Sequence, residues 1–159
     1  MKEIKFKAKA INRDENRTYR SNYKNGDWVY GLLTKHKGYY GCATMTDIHG
    51  IEDIDIDEDT LRQFTGYVDI YGNEVYEGDY FTPIYVPPFK AIDINSRDFD
   101  DDRKGKIEFK DGGLWVTPQY SQCYYLSDYN RKEFSYYEPN IGEIYKPIDN
   151  ILCGKVEEW

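Results

Sequence analysis

The stretch Gln63-Phe64-Thr65-Gly66-Tyr67-Val68-Asp69-Ile70-Tyr71, then Gly72-Asn73, then Glu74-Val75-Tyr76-Glu77-Gly78-Asp79, decides the fold class. Both flanks are rich in aromatic and β-branched residues, and Gly-Asn between them supplies the positive φ values that a tight hairpin turn requires. Three glycines stand where a chain of strands needs them: Gly66 for a bulge, Gly72 for the turn and Gly78 for the start of the next strand. Tyr80 to Val86 then continues as a strand until Pro87-Pro88 stops it.

The same signals recur on both sides. Ile4, Phe6, Ala8 and Ala10 alternate with Lys5, Lys7 and Lys9, the period-2 pattern of a half-buried strand with lysines on its open face. Asn25-Gly26 marks a turn. Trp28–Thr34 and Tyr39–Met45 read as strands around a Lys35-His36-Lys37-Gly38 turn, and Gly31 and Gly41 inside them suggest bulges or close backbone approach. Ile51–Asp57 alternates Ile with acid, so its acids line one exposed strand face. Asp57–Arg62 is expected to add one helical turn, with acids early, where they suit a helix N-terminus. Residues 87–104 read as a long inserted loop. Lys106–Lys110 and Leu114–Thr117 form a hairpin around Asp111-Gly112-Gly113. Gln119–Tyr129 is the one helix candidate, although its aromatic content also suits a strand. Ile141–Tyr145 and Ile151–Val156 close the chain as short strands. The sum is a mainly β protein: a small barrel-like domain of short antiparallel strands over residues 56–159, with a β-rich N-terminal segment over residues 1–55.

Composition excludes several classes. Of 159 residues, 17 Tyr, 7 Phe and 3 Trp are aromatic, too many for a disordered chain. No apolar run approaches the roughly 18 residues of a membrane span, so no membrane association is expected. Three cysteines (Cys42, Cys123, Cys153) at wide spacing suit a reducing compartment better than a disulfide framework. The net charge of −8 is uneven: residues 1–45 carry ten basic and four acidic side chains (net +6), so residues 46–159 carry −14. Seven acids lie between Asp47 and Asp59, and a second cluster holds Asp98, Asp100, Asp101 and Asp102. Such asymmetry fits solvated surfaces, a basic arm for nucleic acid, or complementary faces for self-association.

The usual catalytic constellations are missing. Asp53-Ile-Asp55-Ile-Asp57 begins like a calcium loop, but position six is Glu58 and position twelve is Phe64, so the loop fails as an EF-hand. Two histidines and three widely separated cysteines offer no zinc-ligand spacing. Cys42 reads as a small buried hydrophobe in mid-strand. No Gly-rich phosphate loop or nucleophile elbow occurs, and Asn16-Arg17-Thr18 is a chance sequon. No catalytic residue, metal or cofactor is expected.

Ile56 to Asp79 resembles the signature of the YopX family of phage and prophage proteins, where the pattern runs Q-[FY]-T-G-L-x-D-x-N-G-x-x-I-Y-E-G-D. Gln63, Phe64, Thr65, Gly66, Asp69, Gly72, Tyr76, Glu77, Gly78 and Asp79 match it. The opening K-E-I-K-F-K-A, the block Gly26–Gly31 and the block Ile141–Tyr145 are similar to three further family blocks, in the same order. Lys7 stands where the family has Arg, Lys9 where it has Trp, and Tyr71 where the turn has Asn. The resemblance implies a small protein of phage or prophage origin acting in the bacterial cytoplasm, with a β-rich domain and no assigned catalytic residues.

These observations lead to an expected non-enzymatic binding module for a protein partner, possessing Trp28, Tyr30, Gln63, Tyr76 and Glu77 as candidate contacts. Gln63, Tyr76 and Glu77 also read as a hydrogen-bonded staple across the hairpin. Self-association into a homo-oligomer is open. One alternative is nucleic-acid binding by the basic N-terminal segment, with Lys5, Lys7 and Lys9 on phosphates and Trp28 or Tyr30 stacking. Another is an acidic decoy that occupies a host DNA-binding protein.

Overall fold

The computed structural model describes residues 4–13, 22–38, 41–50, 52–83, 85–86, 90–91, 104–118, 124–129, 137–138, 143–144 and 150–158. The fold is mainly β. The strands in chain order are β1 (Phe6–Ala10), β2 (Trp28–Lys37), β3 (Ala43–Asp47), β4 (Asp53–Val68), β5 (Glu74–Tyr76), β6 (Tyr80–Pro83), β7 (Tyr85–Val86), β8 (Lys90–Ala91), β9 (Gly105–Lys110), β10 (Gly113–Pro118), β11 (Tyr124–Tyr125), β12 (Tyr137–Glu138), β13 (Glu143–Ile144) and β14 (Gly154–Glu157). Two compact units divide the chain, Met1–Phe64 and Thr65–Trp159. The boundary read from the sequence, 55/56, falls inside β4. Among the described residues no helix is long and apolar enough to cross a membrane.

In the first unit β1 pairs with β2, β2 with β3, β3 with β4, and β4 returns to β1, all antiparallel, in a partly closed ring. Alternation puts Ala8, Ala10, Val29, Met45, Ile54 and Ile56 inside, where they form the core. The expected acid/Ile alternation holds at Asp53–Asp57: Ile54 and Ile56 are buried, and the acids face outward. Ile4 was expected inward; it precedes the strand and is exposed.

The helical turn expected over Asp57–Arg62 is instead a bulge. Lys7 opposes Arg62 and Lys9 opposes Asp57, so β4 carries extra residues between two paired positions. Thr60 closes the gap: its hydroxyl accepts the Lys9 N–H at 2.8 Å and donates to the Asp57 carbonyl at 2.7 Å. Local turn chemistry is present, but strand pairing on both sides overrides a helix. The β2–β3 turn also moves. β2 runs through Lys35–Lys37 and β3 starts at Ala43; between them the Gly38 N–H bonds the Cys42 carbonyl at 2.8 Å and Gly41 takes φ 75°. Cys42 therefore sits in a turn, half-buried, and not in mid-strand.

In the second unit the sheet order is β11-β10-β9-β6-β14, antiparallel throughout. Val75, Phe81, Ile107, Val116, Leu126, Leu152 and Val156 make its core, with Tyr67 and Leu114 packed against it. The expected hairpin at residues 106–117 forms, its turn at Asp111 (φ 50°) and Gly112 (φ 76°). Gly66, Gly72 and Gly78 take φ of 88°, 85° and 88°. Around Gly78 the chain makes a reciprocal turn: the Asp79 N–H donates to the Tyr76 carbonyl at 3.2 Å, and the Asp79 carboxylate accepts the Tyr76 N–H at 3.0 Å. The helix expected over Gln119–Tyr129 gives way, in its described part, to β11 and a short 3-10 turn, Leu126–Tyr129. Tyr125, at the end of β11, stacks outward on Trp115, while Leu126, at the start of the turn, enters the core. Asn16–Thr18, Tyr39–Tyr40, Ile51, Pro87–Pro88, the acidic cluster at 98–102, Gln119–Cys123, Ile141–Gly142 and Tyr145 lie outside the described residues.

Candidate functional site

The strand pairing of the first unit gathers most of its sequence-predicted site residues on one outer face. Ala8 opposite Val29 points inward, so the flanking positions point out: Lys9 lies across from Trp28, and Lys7 from Tyr30. The ammonium groups of Lys7 and Lys9 stand 5.0 Å and 5.4 Å from the Trp28 ring centroid. Both separations suit a cation–π contact. Lys7 is only 2% exposed, contrary to the expected row of open lysines, and its ammonium lies over the Trp28 ring. Lys5 is half-buried at the start of the strand, and its carbonyl accepts the Phe64 N–H at 2.8 Å. Gln63 is exposed on β4 opposite Phe6.

The same face continues onto β3 with residues that sequence reasoning did not single out. Leu32 follows Trp28 and Tyr30 at the next outward position of β2 and is 56% exposed. Ile48, just past β3, donates its backbone N–H to the Tyr30 carbonyl at 2.8 Å and is 57% exposed. Trp28, Tyr30, Leu32 and Ile48 thus form a continuous apolar band beside the lysines of β1. The signal was present in the alternation W-V-Y-G-L, whose outward members are all large and apolar. On the far side of β3 the band meets polar groups, where the Thr46 hydroxyl donates to Asp53 at 2.6 Å.

Asp55 organises the turn at the end of this unit. It lies against Gly38, where any Cβ would overlap its carboxylate. Burial, then the Asp55 charge, pushes the Cys42 thiol above its ordinary value. A thiol held protonated is a poor nucleophile. The Tyr23 hydroxyl is likewise pushed up, by burial first and then by Asp47, Glu52 and Asp27.

The remaining predicted residues belong to the second unit. Tyr76 is buried in the hairpin and offers a partner no surface; its hydroxyl donates to Glu74 Oε2 at 2.8 Å, a bond within β5. Glu77 is half-buried and its Oε1 accepts the Phe109 N–H at 3.4 Å. Sequence reasoning missed Asp69, the central polar group of this unit. It is fully buried; Oδ1 accepts the Tyr71 and Asn73 N–H groups at 2.9 Å each, and Oδ2 accepts Asn73 Nδ2 and the Val156 N–H at 3.0 Å each. An Asp three residues before Gly72-Asn73 was the available signal, since such a side chain caps the turn it precedes.

Among the described residues no three His, Cys, Asp or Glu side chains converge as a metal site. Comparison with family models, with curated proteins and with solved structures returned no match.

Proposed function

We propose that the chain is a non-enzymatic binding module, a phage or prophage accessory protein of YopX type acting in the bacterial cytoplasm, which engages a protein partner through the outer face of β1–β3. The observation that carries this reading is the exposed pair Leu32 and Ile48, continuous with Tyr30 and Trp28. Scattered exposed apolar residues are ordinary, but a contiguous band is characteristic of an interaction surface. Aromatic anchors beside aliphatic side chains, edged by the stems of Lys7 and Lys9, supply contact area at low entropy cost. Burial of Lys7 and the placement of both ammonium groups over Trp28 weigh against a phosphate-binding row on β1.

The test starts from a partner captured out of host lysate, purified and titrated by calorimetry. Leu32→Ser with Ile48→Ser is expected to weaken that partner's binding by about tenfold or more, with the circular dichroism spectrum unchanged. Equal affinity of the double variant and the wild type overturns the assignment of this face.

A further inference from the structure

The second unit carries a different surface. Its sheet has Phe81, Ile107, Val116 and Val156 on the core side, so the alternate positions form the opposite face. Across that face the pairing sets Tyr80 beside Lys106, and Glu108 beside Trp115, which in turn faces Tyr125. Among the described residues of this face, Lys104, Lys106, Lys110 and Lys155 stand with two carboxylates, Glu108 and Glu157. Lysines thus outnumber carboxylates among them, within a stretch of chain that is acidic overall. Glu157 is held by Lys104 and Lys155, and its carboxyl lies below the ordinary range chiefly through the Lys104 hydrogen bond.

The aromatic pair is fixed before any ligand arrives. Trp115 Nε1–H donates to the Lys110 carbonyl at 3.0 Å, which sets the indole plane. The Tyr125 ring stacks on it with centroids 3.8 Å apart and planes tilted by 31°. A Cβ at Gly113 would come within 3.0 Å of Tyr125 Cε1, so the ring lies down over the glycine backbone. Tyr125 remains 46% exposed, on the edge strand of the sheet. The Lys110 ammonium stands 5.4 Å from the Trp115 centroid. Lys106 lies on the same side of β9, about 13 Å along the strand from Lys110. Its contact with Glu108, 3.8 Å between two half-open side chains, is a weak surface pair that a phosphate can replace.

We propose that this face binds single-stranded nucleic acid, with a base continuing the Trp115–Tyr125 stack and the backbone phosphates meeting Lys106 and Lys110. A preorganised ring pair whose edge member is exposed, beside lysines on the same face of a sheet, is the combination that unstacked bases require. A duplex keeps its bases stacked on one another, and an acidic peptide without aromatic residues has no ring to add to the stack. The inference is independent of the protein-binding face on β1–β3.

The experiment is fluorescence anisotropy of labelled oligo-dT and oligo-U, about 15 nucleotides long, titrated with the full chain at about 50 mM and about 200 mM salt. Single strands are expected to bind more tightly than a matched duplex or polyglutamate, and to weaken as salt rises. Tyr125→Leu is expected to reduce affinity by about fivefold or more, and Tyr125→Phe to retain it. Lys106→Gln with Lys110→Gln is expected to reduce the slope of log affinity against log salt by about 1.4. The Leu32→Ser, Ile48→Ser variant is expected to bind as the wild type does. No single-strand binding at the lower salt overturns the proposal, as does polyglutamate or duplex binding of equal strength. Unchanged affinity in both the Tyr125→Leu and the double lysine variants, with their thermal unfolding intact, overturns it as well.

Discussion

A carboxylate taken fully out of water is tolerated only where its oxygens are saturated with donors, and Asp69 meets that condition with three backbone N–H groups and one side-chain amide. Three of these bonds hold its own turn, while the Val156 N–H comes from the end of the chain. One side chain therefore fixes the hairpin and ties it to β14. Asp69→Ala leaves those donors buried and unmatched, and is expected to lower stability by about 3–5 kcal/mol. Asp69→Asn keeps one acceptor but turns an NH2 group toward N–H donors, at a cost of about 2 kcal/mol or more. A shift of the urea midpoint at constant m-value checks both. Cys42 offers a second residue-scale prediction. Its thiol is raised by burial first and by Asp55 second, so less thiolate is present near neutral pH than at an ordinary cysteine. Iodoacetamide is expected to label Cys42 more slowly than a free thiol at pH 7.5. Asp55→Asn is expected to speed labelling severalfold, with burial still holding it below the free rate; peptide mapping reads the rate at that site.

At the scale of elements, pairing between strands decided what local sequence left open. Gly31 stands in β2 with the β3 backbone pressed against it: an added Cβ would overlap the Thr46 carbonyl oxygen. Gly31→Ala must push β2 and β3 apart where Gly31 opposes Asp47, and is expected to cost about 3 kcal/mol in thermal or urea unfolding. The close approach was legible, since a glycine inside an alternating run announces one. The hairpin at Asp111-Gly112 and the alternation of Ile54 and Ile56 were legible for the same reason, because period and turn chemistry are local. The fate of Asp57–Arg62 was not. Its acids and Thr60 carry real turn signals, and only the partner strand reveals that Thr60 spends its hydroxyl on the Lys9 N–H in a bulge. Lys7 was misplaced for a related reason: alternation gives the side of the sheet, but not what lies over it, and Trp28 lies over it. The candidate faces follow the same rule. Trp28 and Tyr30 were visible as aromatics in a strand, whereas their continuation through Ile48, and the meeting of Trp115 with Tyr125, depend on registers between separate strands.

At the scale of the whole chain, the ring closure of β4 onto β1 joins residues about fifty positions apart, a contact that no local pattern encodes. It separates the apolar residues into two clusters with no member in common, Met45 with Ala8, Ala10, Val29, Ile54 and Ile56 in one, and Leu152 with Val75, Phe81, Ile107, Val116, Leu126 and Val156 in the other. Each unit therefore holds its own hydrophobic stabilisation, with β4 running through both as continuous backbone. Removing a buried Met or Leu side chain costs about 2–5 kcal/mol through lost transfer energy and the cavity left behind. That cost falls on the cluster that loses the atoms. Met45→Ala is expected to speed amide hydrogen exchange in β1, β2 and β3 while β9, β10 and β14 keep their protection. Leu152→Ala is expected to do the reverse. Mass-resolved exchange on the two variants reads both halves at once. An equal loss of protection across all six strands in either variant would show that one cooperative transition governs the chain, and would remove the energetic meaning of the two cores.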